Sequence, residues 1–283
     1  MAERTQIRRG VGLAAVAALT FGATVPLLKL ASAGVGVFTS GGLLYLGAAI
    51  VAGGAVAWRR PPGGSGLLRA GAFGRLLGLA LLGAVCAPAL LVAGVKRTDA
   101  VTTSLLLTLE APFTMLLAWL LFREHLGRRA LIAAALVLAG ALLAAAPSGA
   151  PGRAGSGTAL VAGAMLVWAL DNIVSRTFAD RDPLSIVAAK GLLGGGLSIA
   201  AAALAGEPRP PLAAIAAIGA IGAVGYGISL FCYLRAQSLI GAARTASVFA
   251  AAPFIGSVTA LALGAPWPGA ALAGAAALML AGG

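Results

Sequence analysis

The chain has 283 residues, of which 60% are hydrophobic and only 10% are charged. A soluble domain carries charge on roughly a quarter of its residues, so this composition excludes an ordinary water-soluble protein. The mean hydropathy of +1.00 indicates a polytopic membrane protein instead. In such a protein the net charge of +12 first reports how the chain is oriented in the membrane, and a nucleic-acid partner is not expected.

Apolar runs of about 20 residues can cross a hydrocarbon core of roughly 30 Å. By that measure the sequence predicts an all-α membrane protein with ten transmembrane helices and short connections. The tenth span is the least regular, because Pro266 and Pro268 crowd its start. The predicted spans cover residues 10-30, 35-57, 74-95, 100-122, 130-147, 157-178, 183-205, 211-234, 243-264 and 266-283.

Lysine and arginine are unevenly shared between the two ends of these spans. If the N-terminus is cytoplasmic, fourteen of them lie at cytoplasmic ends and five at outer ends, while Lys190 lies within a span. This bias predicts that both termini are cytoplasmic. The fourteen are Arg4, Arg8, Arg9, Arg59, Arg60, Arg69, Arg75, Arg123, Arg128, Arg129, Arg176, Arg181, Arg235 and Arg244. The five are Lys29, Lys96, Arg97, Arg153 and Arg209.

The two halves of the chain resemble each other. The tripeptide 111-113, Ala-Pro-Phe, recurs 141 residues later at 252-254. We therefore predict two five-helix repeats, residues 1-147 and 157-283. Because five is odd, the halves must be inserted with opposite orientation, and such inverted repeats can open a central cavity first to one side and then to the other.

Four prolines lie inside predicted spans, where each removes a backbone donor and permits bending. They are hinge candidates, although kinks that merely shape a static bundle explain them as well. These prolines are Pro26, Pro88, Pro112 and Pro253.

Several short motifs occur in a characteristic order. Phe21-Gly22 stands eight residues before Lys29, and Trp168-Ala169 stands eight before Arg176. Span four carries Leu109-Glu110-Ala111-Pro112, and Arg123-Glu124-His125-Leu126 precedes span five. Together these features resemble the drug/metabolite transporter superfamily, specifically its EamA-type branch, over nearly the entire chain.

The resemblance implies ten helices, a central substrate cavity between the repeats, and often efflux of amino acids, other metabolites or drugs across the bacterial cytoplasmic (inner) membrane. The sequence departs from the commoner family pattern in having Phe21 where tryptophan is frequent. It also has Ala251 at the position that repeats Glu110, so acidic chemistry is concentrated in the first half and at Asp171.

Glu110 is the strongest functional candidate. It lies ten residues past Ala100, or about 15 Å at the rise of an α-helix, which is near the bilayer midplane. An ionisable group there costs on the order of 3 kcal/mol or more on insertion. Thr103 and Thr114 fall on the same helical face, so we expect a polar stripe aimed inward. Our hypothesis is that Glu110 takes and releases a proton; the alternative is a hydrogen-bonded glutamate that only holds helices together.

The second candidate group is in span six. Trp168, Asp171 and Asn172 have the spacing i, i+3, i+4 and share a helical face, where an indole and a carboxylate could hold a cationic or zwitterionic substrate. Helix rise places Lys190 at a depth similar to that of Asp171, so a structural ion pair between the two is an equally good explanation. Tyr226 in span eight could line the cavity or only pack helices.

These residues predict a secondary transporter of small metabolites, amino acids or drugs. Export is the expected direction of transport. Its expected partners are the lipid bilayer, a small-molecule substrate and protons, without a cofactor or metal. A channel-like or structural bundle is the alternative. An intramembrane enzyme is disfavoured, because the single histidine, His125, is interfacial and no cysteine, histidine and aspartate cluster shares a depth.

Overall fold

The computed structural model describes residues 2–59, 70–145, 154–178, 180–267 and 269–282. Within these ranges every regular element is helical, which confirms the predicted all-α class. Four residues used in the predictions above, Arg60, Arg69, Arg153 and Pro268, lie outside the described residues.

In the part of the chain that the structure describes, the helices group into ten segments, α1 to α10, several of which are interrupted. In the first half α1 is Ala2–Gly22 with Thr24–Ala31, α2 is Val37–Arg59, α3 is Ala70–Ala80, Leu81–Cys86 and Ala87–Val95, α4 is Ala100–Leu106, Leu107–Leu109 and Glu110–Phe122, and α5 is Arg128–Ala145. In the second half α6 is Ala154–Ser175 with Arg176–Phe178, α7 is Pro183–Leu204, α8 is Leu212–Gly222, Ala223–Ile228 and Ser229–Ile240, α9 is Ala242–Phe249 with Ala252–Ala262, and α10 is Ala270–Gly282.

Eight of these segments, α1 to α4 and α6 to α9, are long and apolar enough to cross a membrane. The other two, α5 and α10, occupy the places of predicted spans five and ten and pack against each other. Because α10 has 13 residues, it is short for a full crossing, so the number of ten crossings stays a prediction.

Each of the four interior prolines lies just after a break in its helix. A proline ring clashes with the carbonyl four residues earlier and cannot donate a hydrogen bond to it. The chain accommodates this by ending a helical segment at Gly22 and at Phe249, by a π turn at Leu81–Cys86, and by a 3-10 turn at Leu107–Leu109. These breaks lie where Pro26, Pro253, Pro88 and Pro112 require them.

A second π turn, Ala223–Ile228 in α8, occurs without a proline. It corresponds in the second half to the π turn of α3. Glycines allow α8 to approach α2 closely here, since a Cβ added to Gly222 would lie 2.0 Å from the Leu44 carbonyl oxygen. Close helix contact through small residues is a common packing mode in membranes.

The molecule is packed unevenly along the membrane normal. Every residue of Ala100–Leu106 in α4 is buried, whereas in Glu110–Phe122 only Pro112 and Ala118 are. We call the tightly packed side, which carries Lys29, Lys96 and Glu207, the sealed end. The opposite side, which carries Phe122, Arg176 and Ile240, is the open end. Glu110 lies at the boundary between the two.

Candidate functional site

A central cavity of about 410 Å³ lies between the two halves of the chain. Its wall is formed by six helices, α1, α2, α4, α6, α7 and α8, and by Phe249 at the end of the first piece of α9. Most of the residues predicted as a site meet here: Glu110, Trp168, Asp171, Asn172, Lys190 and Tyr226 all line it. Side chains from both halves of the sequence thus converge on one space.

Asp171 and Lys190 form an ion pair in the cavity wall. The Lys190 Nζ donates to the Asp171 Oδ2 at 2.5 Å, and both side chains are largely buried. The other carboxylate oxygen, Oδ1, has no hydrogen-bond partner within the part of the chain that the structure describes. It lies against Gly83, where an added Cβ would come within 2.3 Å of both Oδ1 and the lysine Nζ. Any larger residue at this position would force the ion pair to shift.

Glu110 and Asn172 are joined directly. The Asn172 amide donates to the Glu110 Oε1 at 2.8 Å, and Asn172 is exposed to the cavity. The Thr114 hydroxyl lies 3.5 Å from the same amide, but it donates to the Glu110 backbone carbonyl at 2.8 Å. This contact connects α4 to α6 at the boundary between the sealed and open ends.

Thr103 does not join this group. It is fully buried, and its hydroxyl donates to the Asp99 carbonyl oxygen at 2.8 Å. The expectation of one continuous polar face assumed an uninterrupted α-helix. The 3-10 turn at Leu107–Leu109 has about three residues per turn and rotates the two parts of α4 relative to each other.

Aromatic rings form the remaining wall. The Trp168 indole N–H donates to the Gly83 carbonyl oxygen at 2.9 Å and also lies 3.2 Å from the Tyr45 hydroxyl. The Tyr226 ring contacts the rings of Tyr45 and Phe21, with centroids 5.6 Å apart in both pairs. Trp168, Asp171 and Asn172, predicted to act together, each contact a different partner in this arrangement.

Sequence reasoning missed Tyr45, Phe249 and Gly83. All three tyrosines of the chain, Tyr45, Tyr226 and Tyr233, line the cavity. The scarcity of tyrosine in so apolar a sequence was a usable signal for Tyr45. No comparable signal marks Phe249 or Gly83, because phenylalanine and glycine are common throughout the spans.

At the sealed end, Glu207 caps the N-terminus of α2. Its carboxylate accepts hydrogen bonds from the backbone N–H groups of Phe38 and Thr39, both at 2.9 Å, and from the Thr39 hydroxyl at 2.7 Å. Partial burial raises the pKa of Glu207, but these hydrogen bonds together outweigh it and hold the pKa below its ordinary value. The glutamate comes from the second half of the chain and α2 from the first, so this contact joins the halves.

Two lysines complete the sealed end. The Lys96 ammonium donates to the Val35 carbonyl oxygen, and the Lys29 ammonium donates to the carbonyl oxygens of Val95 and Thr98 at 2.7 and 2.5 Å. Burial lowers the pKa of Lys96, and the nearby Glu207 carboxylate offsets part of that effect. From the sequence, these two lysines were interpreted only as indicators of membrane orientation.

Comparison with known proteins identifies the class. A sequence model of the EamA-like transporter family matches the chain twice, over residues 8–146 and 155–282. The chain therefore belongs to the EamA-like transporter family, and the resemblance drawn from its motifs is confirmed.

Two individual proteins are also similar. An uncharacterized transporter of Methanothermobacter thermautotrophicus is 30% identical over 191 residues, which are 65% of this chain and 56% of that protein. The match thus spans little more than half of the relative. A protein of known crystal structure has a TM-score of 0.69 and 23% identity, and the match covers 96% of this chain and 94% of that one. That likeness shows the fold.

Proposed function

We propose that this chain is a secondary transporter that exports small metabolites, amino acids or drugs by alternating access, with Glu110 as the proton-carrying group. The observation that carries the proposal is the central cavity, which is lined from both halves of the chain and is packed shut toward one end only. A carrier that exposes one site to two sides in turn requires such a one-sided opening.

Proton coupling follows from the position of Glu110. Its side chain lies between the packed and the open parts of α4, so a change of access alters its surroundings directly. Burial in a membrane disfavours the charged carboxylate, whereas water and the Asn172 amide favour it. A proton bound in one state of the cavity can therefore be released in the other.

The conformational change that we propose moves two repeats, residues 1-147 and 157-283, which are inverted relative to each other. The matching π turns of α3 and α8 and the breaks before Pro112 and Pro253 support this division, since equivalent positions bend in both halves. Pro26, Pro88, Pro112 and Pro253 act as hinges in this scheme, because their helices already lack continuous α-helical hydrogen bonding there.

The membrane placement that we propose is the bacterial cytoplasmic membrane, with both termini cytoplasmic. The excess of arginine at the open end supports this orientation by the positive-inside rule. The open end then faces the cytoplasm, which is the side from which an exporter takes up its substrate.

Transport in proteoliposomes tests the proposal. Purified protein is first screened for thermal stabilisation by amino acids, amines and drugs at two pH values, because a ligand of the folded state raises its stability. A stabilising compound is then used in radiolabelled form. We expect saturable accumulation that requires a pH gradient in the wild type.

The Glu110→Gln variant is expected to lose gradient-driven accumulation completely while retaining exchange of labelled for unlabelled substrate. Glu124→Gln, which changes an exposed acid at the open end, serves as the matched control and keeps both activities. Normal accumulation by Glu110→Gln with unchanged pH dependence would remove the coupling role. Non-saturable flux in the wild type would instead identify a channel.

A further inference from the structure

A second cavity, of about 560 Å³, lies beside the central one between α4, α5, α9 and α10. We call it the side chamber. Six residues line both spaces, so only those side chains separate them: Phe21, Glu110, Trp168, Asn172, Tyr233 and Phe249. The central cavity and the side chamber are therefore neighbouring spaces that share one wall.

The two parts differ in chemistry. Beyond the shared wall, the side chamber is lined by Leu, Met, Ala, Val, Pro and Phe, with Gly282 at one edge. Its two threonines, Thr108 and Thr114, donate their hydroxyl hydrogens to carbonyl oxygens of their own helix, those of Leu105 and Glu110. Neither hydroxyl hydrogen is available to a polar ligand. An apolar space of this kind favours hydrocarbon over water.

The side chamber exists because α4 and α9 diverge toward the open end. They pack together through Ala100–Leu106 and Ala252–Ala262, close to the sealed end. On the other side of the chamber wall, α4 carries Leu116, Leu120 and Leu121 with exposed side chains, which in a bilayer contact acyl chains. The helix α4 thus carries both chamber-lining residues and residues that face lipid.

The central cavity contains the charged group that determines which class of ligand can bind. Lys190 is paired with Asp171, and Glu110, which lies at the shared wall, forms no ion pair with any of the residues that the structure describes. The rings of Phe21, Tyr233 and Phe249 belong to the same shared wall. A carboxylate on a wall that also carries aromatic rings attracts an organic cation through charge and cation–π interaction.

We propose that the side chamber binds the apolar chain of an amphiphilic organic cation whose ammonium group lies in the central cavity at Glu110. This inference rests on the proposed function, because it names the substrate class of the same site. It adds that the site has two parts and that one of them is apolar.

A homologous series of ligands tests the two parts separately. Tetramethylammonium, butyltrimethylammonium and octyltrimethylammonium are titrated against the protein in lipid nanodiscs, and binding is followed by tryptophan fluorescence. Each methylene that is buried in the chamber adds affinity, and competition from lipid reduces this gain. The octyl homologue should therefore bind on the order of tenfold tighter than the butyl one.

Filling the chamber should remove only the chain-length effect. Ala134 lines the chamber on α5, and its neighbour Ala135 is exposed outside it. Ala134→Phe is expected to lower octyl affinity to the butyl level and to leave tetramethylammonium binding unchanged. Ala135→Phe, the matched control, is expected to bind the whole series like wild type. Ala246→Phe fills the chamber from α9 and replaces Ala134→Phe if that variant does not fold.

Three results would overturn the inference. If the chamber-filling variants bind the octyl homologue like Ala135→Phe, the chamber does not hold the chain. If affinity does not depend on chain length in the wild type, the two-part site is wrong, although transport in proteoliposomes still stands on its own test. If no homologue binds the wild type, the organic-cation class is wrong. Failure of the transporter proposal would show separately, as loss of saturable transport.

Discussion

The sealed and open ends of the molecule use their charged residues differently. At the sealed end, Lys29, Lys96 and Glu207 bond to backbone groups of neighbouring elements. Toward the open end, charged side chains pair with each other, as Asp171 does with Lys190 and Glu124 with Arg176. A bond to a backbone group holds the neighbouring chain directly, whereas a pair between side chains connects two helices through two side chains with rotatable bonds.

The two kinds of contact explain how one end can be shut while the other stays open. Apolar packing contributes at the sealed end, where the first part of α4 is completely buried. Hydrogen bonds between the two halves also hold this end closed. When the end opens, water can form hydrogen bonds with the polar groups that separate, so the cost of breaking these contacts is small. A closure of this kind is reversible, which alternating access requires.

The largest effect is expected from breaking the buried pair in the open half. Asp171→Asn leaves the Lys190 ammonium in a mostly buried place without its anionic partner, which typically costs about 3–5 kcal/mol. We expect a strongly lowered thermal unfolding temperature in detergent. The double variant Asp171→Asn/Lys190→Gln should recover most of the loss, since no charge remains unpaired.

The wild type, the Asp171→Asn variant and the double variant also show whether Asp171 and Lys190 form a structural pair or whether Asp171 binds the substrate. If the double variant regains stability and also ligand binding, the pair is structural. If binding is lost in both the single and the double variant while stability returns, Asp171 contacts the substrate directly.

A smaller effect is expected at the sealed end from Glu207→Gln. The amide keeps one acceptor oxygen but loses the charge that strengthens the bonds to Phe38 and Thr39; a hydrogen bond to a charged group contributes about 1.5–3 kcal/mol. We expect part of the population to open at this end. Every 1.4 kcal/mol changes the ratio of closed to open molecules by about tenfold.

Spin labels measure this opening. They are placed at Ala33 and Arg209, both exposed at the sealed end, in a background without Cys86 and Cys232. Pulsed electron paramagnetic resonance should show one short distance in the wild type and an added longer one in Glu207→Gln. Glu124→Gln at the open end should keep the wild-type distance, and a widening there would show that the labels report general loosening.

Much of this organisation was predictable because it depends on local sequence. The helices follow from apolar runs, and the breaks at Gly22, Leu81–Cys86, Leu107–Leu109 and Phe249 follow from prolines four residues beyond them. The π turn of α8 has no such proline and was not predicted. Its cause is tertiary, since glycines there allow α8 to pack closely on α2.

The site was predictable only residue by residue. Depth along a helix selected Glu110, which lines the central cavity, and predicted that Lys190 could lie near Asp171, which the structure shows. It could not show that Thr103 turns away, because one 3-10 turn changes the helical face. The role of Glu207 was also hidden, since its partners Phe38 and Thr39 lie 169 and 168 residues away and the chain must fold before they meet.

A still smaller effect is expected when the wild type is acidified. The folded pKa of Glu207 is lowered, so its contribution to closure is complete above the ordinary glutamate value of about 4.3 and is lost as the pH falls through the lower folded value. The distance between the labels at Ala33 and Arg209 should therefore stay short at mildly acidic pH and lengthen only below that ordinary value. In Glu207→Gln the distance distribution should not respond to pH in this range; an equal response would assign the change to another group.

The smallest effect is expected from Glu124→Gln at the open end. Glu124 and Arg176 lie 2.5 Å apart, but their side chains are 47% and 46% exposed, so water and salt screen the pair. Exposed pairs contribute less than about 1 kcal/mol, and we expect a correspondingly small change in unfolding temperature that disappears at high salt. A loss as large as that of Asp171→Asn would mean that this pair holds α4 against α6. The open end would then be fixed by charge as firmly as the sealed end, and the contrast between the two ends would not explain which one opens.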